Sequence, residues 1–124
     1  MYLLYRLIAE ILSAVNEVAA GALQSYTINT NGTLSSAVNT VKTGGDAPAF
    51  TTALSTGEVA VFNYNSGNGR IIPTTSSPLY FDDSAPEITF PLTSSSPTAV
   101  SHPHMALEYK CEVFVPDLVS LQDA

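Results

Sequence analysis

The chain opens with a helical-looking pattern and then changes period. In "MYLLYRLIAEILSAV" the apolar residues Leu4, Leu7, Ile8, Ile11, Leu12 and Val15 recur at helical spacing, and Arg6 and Glu10 lie four apart on the other face. This predicts an amphipathic helix, or a helix-like and poorly ordered extension, over residues 1–13. The two charges interrupt the apolar run, which is too short and too broken for a membrane span. From Ala14 onward short apolar runs are punctuated by turn residues. "ALQSYTIN" and "LSSAVNTV" flank Asn31-Gly32, a hairpin signal. Asn31-Gly32-Thr33 also fits a glycosylation sequon, but Asn-Gly is what a tight turn requires. "PAFTTALSTGEVAVFNYNSGNGRIIPTT" reads strand, turn, strand, turn, strand, with turns at Ser55-Thr56-Gly57 and Ser66-Gly67-Asn68-Gly69. "SSPLYFDDSAP" is a loop, "EITFPL" a short strand and "TSSSPTAVSHP" a second loop. "HMALEY" and "EVFVPDL" form a closing strand pair.

The strands repeat. Glu58-Val59-Ala60-Val61 aligns with Glu112-Val113-Phe114-Val115 at an offset of 54 (112 − 58), which places Asn63 on Asp117 and "APAF" on "SHPH". A weaker copy sets "LSAVNE" against "VAVFNY", with Asn16 on Asn63 at an offset of 47 (63 − 16). A repeat of about fifty residues holding about four strands is the pattern of β-propeller blades, which bury their faces against one another.

Composition fits an all-β chain: Thr, Ser, Val, Gly, Pro and Asn are abundant and Trp is absent. The formal net charge of −7 leaves no basic stripe for nucleic acid and disfavours an anionic membrane surface. The single cysteine, Cys111, permits no internal disulfide and fits a reducing, cytoplasmic setting. It is expected at a strand start, at least half-buried and unreactive.

The segments "VNEVAAGALQSYTINTNGTLS", "GGDAPAFTTALSTGEVAVFNYNSGNGRIIP" and "SHPHMALEYKCEVFVPDL" together resemble the lactonase family of seven-bladed β-propellers, and within it the fungal carboxy-cis,cis-muconate cyclases (3-carboxymuconate lactonising enzymes). Bacterial-type 6-phosphogluconolactonase is similar. The resemblance spans roughly Leu12 to Leu118 and implies a partial propeller over residues 14–118, about two to two and a half four-stranded blades, with a tail at 119–124. Both ends of the chain read as breaks in a propeller sequence. The "VPDL" corner leads into "VSLQDA" rather than into a further blade.

By descent the resemblance implies an isomerase of aromatic-compound catabolism. The family reaction closes a lactone by adding a substrate carboxylate across a conjugated double bond. His104, the second His of "HPH", matches the family's channel-mouth histidine best, with His102 behind it. A His suits proton transfer near neutrality. Its bland alternative is a strand-start residue making one backbone hydrogen bond. Glu17 and Asp117, which end the "VNE" and "VPD" strands, are candidates to face the substrate, or else polar strand caps. The arginines expected to hold substrate carboxylates have no counterpart, since Arg6 and Arg70 lie outside the family motifs. The chain is therefore expected to be inactive alone. The alternatives are a 6-phosphogluconolactonase-like lactone hydrolase, and a non-catalytic propeller fragment that self-associates through exposed blade faces.

No cofactor or metal is implied. His-Pro-His is a poor chelate, Asp82-Asp83 lacks further acidic residues at calcium-loop spacing, and "NSGNG" is followed by neither a helix nor a Lys. The Ser-rich stretches hold no Gly-x-Ser-x-Gly nucleophile motif.

Overall fold

The structure, a computed structural model, describes residues 10–90 and 99–118. The described residues form nine strands: β1 (Glu10–Asn16), β2 (Ala22–Ile28), β3 (Asn39–Lys42), β4 (Pro48–Ala53), β5 (Val59–Asn63), β6 (Asn68–Ile72), β7 (Ile88–Thr89), β8 (Leu107–Tyr109) and β9 (Glu112–Phe114). All pairings are antiparallel between neighbours in sequence. They give a three-stranded sheet β1-β2-β3, a four-stranded sheet β4-β5-β6-β7 and a two-stranded sheet β8-β9. The expected four strands per unit are thus met by the second sheet among the described residues.

The N-terminal expectation needs correction. Glu10–Ser13 are not helical; they begin β1, which pairs with β2 from Glu10↔Ile28 to Asn16↔Ala22. Residues 1–9 of the expected helix lie outside the described residues. The spacing of Ile11, Leu12 and Val15 suits a helix, but Ile11, Ser13 and Val15 also alternate along one strand face. Pairing with β2 and packing of Val15 on the core decide the conformation, as tertiary context overrides a weak local preference.

The turns fall where Gly marks them. Gly32 N–H donates to Asn29 O at 2.8 Å and Gly57 N–H to Leu54 O at 3.0 Å, each with the glycine at positive φ (83° and 91°). Both are three-residue hairpin loops closed by a left-handed glycine. Beyond the first turn the ladder slips: Ile28 bridges Leu34, whereas Ser25 pairs with Asn39. The Ser35 hydroxyl then accepts the Thr27 N–H at 3.0 Å in place of a backbone carbonyl.

Strand β5 organises the packing. Every residue from Val59 to Asn63 is buried. Val59 and Val61 point to the first sheet and pack with Leu23, Val41, Ile72 and Phe81. Ala60 and Phe62 point the other way and pack with Leu54 and Ala106, against Phe50, Ile71, Phe90, Val113 and Val115. The second sheet is therefore covered on both faces. Phe62, 1% exposed, lies opposite Gly69 on β6, where any Cβ would run into its ring. Burying that ring contributes about 2–3 kcal/mol.

The β6–β7 connection folds back on the first sheet. Ser25 Oγ donates to Leu79 O at 2.6 Å, and Asn39 Oδ1 accepts the Phe81 N–H at 3.0 Å. Arg70 locks it in place. This side chain, on a residue 5% exposed, donates to Lys42 O (2.6 Å), Asp83 O (2.7 Å), Ala85 O (3.0 and 2.7 Å) and Asp83 Oδ1 (2.9 Å). A carbonyl cage of this kind suits the planar guanidinium, with its several fixed donors, far better than an ammonium.

On the far side of the second sheet, Glu108 accepts from the Ser55 hydroxyl (2.6 Å) and the Ser55 N–H (2.8 Å), tying β8 to the β4–β5 turn. The Ser55 hydroxyl first, and its N–H second, hold the Glu108 carboxyl below the ordinary glutamate value of 4.5.

Two predictions follow from these clamps. Urea unfolding of Arg70→Ala is expected to show a loss of about 3 kcal/mol, since buried carbonyls lose their donors. Arg70→Lys should lose about 2 kcal/mol, and Asp83→Asn less than about 1 kcal/mol, because Asp83 is largely exposed. An Arg70→Lys variant as stable as the parent would contradict the cage. For Glu108, the depressed folded pKa means a contribution present above the unfolded glutamate value and lost as pH falls through the folded one. An NMR titration should find the Glu108 carboxyl titrating below 4.5. In Ser55→Ala it should move back only part of the way, because the backbone donor remains.

Candidate functional site

The β1–β2 connection, the segment before β4, the β5–β6 turn and the open end of the third sheet line up along one rim, laced by hydrogen bonds. The β1–β2 connection meets the segment before β4 through Gly21 N–H to Gly45 O (2.9 Å), Ala47 N–H to Val18 O (3.0 Å) and Ala20 N–H to Asp46 Oδ1 (2.6 Å). That segment meets the β5–β6 turn through Tyr64 N–H to Ala47 O (2.9 Å) and Asp46 N–H to Ser66 Oγ (2.7 Å). The turn in turn meets the entry to the third sheet: His102 Nδ1 lies 2.8 Å from Tyr64 O.

A buried amide pair supports the middle of this rim. Asn63 Nδ2 donates to Thr43 O (3.1 Å) and Asn68 Oδ1 (2.9 Å), while Asn68 Nδ2 donates to Gly44 O (3.0 Å). Asn63 and Asn68 face each other across the β5–β6 hairpin and bind the backbone of the neighbouring strand connection. The Asn63 Oδ1 atom is buried without a partner. An orphaned buried acceptor costs about 1–3 kcal/mol, which the two donor bonds of the same amide offset.

Both histidines pack against one aromatic ring, that of Tyr64. His102 is half-buried and stacks on Tyr64, with ring centroids 4.4 Å apart and planes at 18°. His104 is exposed and meets the same ring edge-on at 5.8 Å and 87°. Pro103 between them is fully buried and bridges Asp117, so strand alternation and the buried proline together fix the two side chains about Tyr64. His104, three residues before β8, donates its N–H to Pro116 O at 3.2 Å. The positions of the two histidines differ. His104 is the open, accessible member, and His102 is held by stacking and by the Tyr64 carbonyl.

Asp117 is half-buried and accepts the His102 N–H through Oδ1 (2.6 Å) and the Ser101 hydroxyl through Oδ2 (2.6 Å). Both carboxylate oxygens thus serve to cap the strand entry. Glu17 is exposed in the β1–β2 connection, on the same rim. Tyr64, the ring that joins both histidines, was missed by sequence reading. The "NY" pair stood ahead of a Gly-rich turn, but nothing in its spacing announced contact with residues 38 and 40 positions away (102 − 64 and 104 − 64). Arg70 is not on the rim at all; it is consumed by the carbonyl cage. Cys111 corrects another expectation: it is exposed, the second residue of the two-residue β8–β9 turn, after Lys110 at positive φ (55°).

A cavity of about 410 Å³ lies elsewhere, between β1, β4 and the Gly57 and Thr74 turns, lined by Ile11, Ser13, Thr51 and Val59 among others. Among the described residues its walls carry no titratable side chain. Among the described residues no group of three or more His, Cys, Asp or Glu side chains is placed to hold a metal ion, and no helix is long and apolar enough to cross a membrane. Compared with known proteins, the chain matches no family model, no curated protein and no solved structure.

The rim separates structural from solvent-facing polar groups in a measurable way. Asp117→Ala should lower stability by about 1–3 kcal/mol, since two donors lose a charged acceptor. His104→Ala should stay within about 0.5 kcal/mol of the parent, because the side chain is exposed. Denaturant unfolding of both variants provides the check.

Proposed function

We propose that this chain is part of a lactonase-type β-propeller, related by descent to the fungal carboxymuconate cyclases and working in the cytoplasm. The observation that carries the reading is the rim, where successive antiparallel meanders, in the order and spacing of the sequence repeat, bring an accessible His104 to one end of the third sheet. The repeat is consistent with the registers: Asn16 and Asn63 close their hairpins opposite Ala22 and Asn68, and Asn63 and Asp117 lie opposite the buried prolines Pro48 and Pro103.

In this reading His104 is the acid–base group. It moves the proton that balances addition of a substrate carboxylate oxygen to a conjugated carbon. His102 and Asp117 are positioning residues. The stacked His102 ring fixes Tyr64, and Asp117 fixes the backbone from which His104 projects. Glu17 lies on the same rim and contributes negative charge at its far end.

The chemistry also requires cations to hold the substrate carboxylates. The chain has four Lys and Arg residues, and Arg70, the buried one among those described, is committed to backbone carbonyls. The same shortage weighs against a sugar-phosphate lactonase, whose substrate needs phosphate-binding cations. The rim alone therefore supplies the proton-transfer share of the catalysis and little substrate affinity.

Loss of the conjugated absorbance of 3-carboxymuconate, followed with the purified chain beside His104→Ala, tests the proposal. The expected result is no appreciable turnover by either protein. Robust turnover that disappears in His104→Ala would make His104 a working catalytic residue without partner arginines. Robust turnover that survives in the variant would remove His104 from the chemistry.

A further inference from the structure

The three sheets are stacked in one direction, and the same side of each sheet always meets the next. The second sheet receives the first on its Val59/Val61 side and the third on its Ala60/Phe62 side. The repeat carries this polarity outward. At the offset of 54, Val113 and Val115 correspond to Val59 and Val61, and they pack on the second sheet. Phe114 corresponds to Ala60, and it points away, 49% exposed.

Around Phe114 lie Met105, Leu107 and Tyr109, at 40%, 53% and 58% exposure. Leu107 is the direct cross-strand partner of Phe114. Large apolar side chains on one face of a two-stranded sheet mark a surface built to be covered.

The opposite end of the stack carries the complementary side. Asn16 and Asn63 occupy the same hairpin-closing position, so Leu12 and Ala14 correspond to Val59 and Val61. Val15 packs on the core between the first two sheets. By strand alternation Leu12, 37% exposed, and Ala14 face outward from the first sheet. The two ends thus present the two halves of the interface that the chain already makes twice within itself.

We propose that the outer face of the third sheet docks the outer face of the first sheet of a second copy of this chain, head to tail, continuing the internal stack. The contact is heterologous, so an open assembly retains one unused face of each kind, one at either end. Growth continues unless the rotation between copies closes a ring. The inference stands on sheet polarity and is independent of the enzymatic reading.

Sedimentation velocity over about 1–100 µM, with far-UV circular dichroism to verify folding, tests it. The parent chain should gain mean mass with concentration. Phe114→Glu and Leu12→Glu each destroy one face and add one negative charge, and each alone should be monomeric, with self-association weakened at least ~10-fold. Mixed in equal amounts they retain one intact face each. They should form a 1:1 dimer that grows no further, which repulsion between added charges cannot produce.

If either glutamate prevents folding, Leu107→Glu and Thr40→Glu, on the same two outer faces, take their places. A parent chain that stays monomeric throughout overturns the proposal. So does a Leu12→Glu variant that still dimerises, because the third sheet then pairs with itself, and so does a mixture that shows no pairing.

Discussion

A strand buried along its whole length has to be covered twice, and that requirement governs this molecule. The Val59–Asn63 strand leaves no face for water, so its sheet sits between two others. Hydrophobic burial is roughly proportional to the apolar area removed from water, and β5 removes area on both sides at once. The flanking sheets are chosen by what fits against it: valines with Leu23 and Val41 on one side, and Phe62 with Val113 and Val115 on the other. The rim, with its histidines and capping carboxylate, exists because this stacking brings two hairpin ends and the open end of the third sheet to one edge.

The polar interior follows from the same stacking. Bringing strand connections together buries backbone groups that no ladder satisfies, and side chains are recruited to satisfy them. Asn63 and Asn68 do so between the first and second sheets, Asp117 at the entry to the third, and Arg70 around the β6–β7 connection. Each stands at a strand end or faces a loop, where carbonyls and N–H groups are left over. This explains how an arginine in a chain with so few cations comes to be interior: its partners are mostly neutral carbonyls, with the exposed Asp83 a minor contributor.

Period-two alternation and turn chemistry made much of this legible from residues alone. "VAVFN" between two glycine turns reads as a central strand, and Ser55-Thr56-Gly57 reads as the turn it is. Local pattern misled at Glu10–Ser13, where one set of apolar residues satisfies both a helical and an extended period and pairing with β2 decides. At the site, "HPH" was visible as a pair. The division of roles was not, because it depends on Tyr64, brought in from another sheet by stacking. Asn63 and Asp117 align as equivalents in the sequence repeat, and both lie opposite buried prolines. Arg70 looked like an unplaced arginine, since a cage of carbonyls leaves no trace in the sequence.

The Arg70 cage also joins parts of the chain that the ladders leave separate. Each sheet is a meander of sequence neighbours, so its ladders close over short stretches and can form early. The cage gathers carbonyls from Lys42, Asp83 and Ala85, and so it closes only after the first two sheets have docked and the β6–β7 connection has folded back. Arg70 is thus a knot in three strings: the end of the first sheet, the second sheet and the returning connection cannot part without the same side chain giving up its partners.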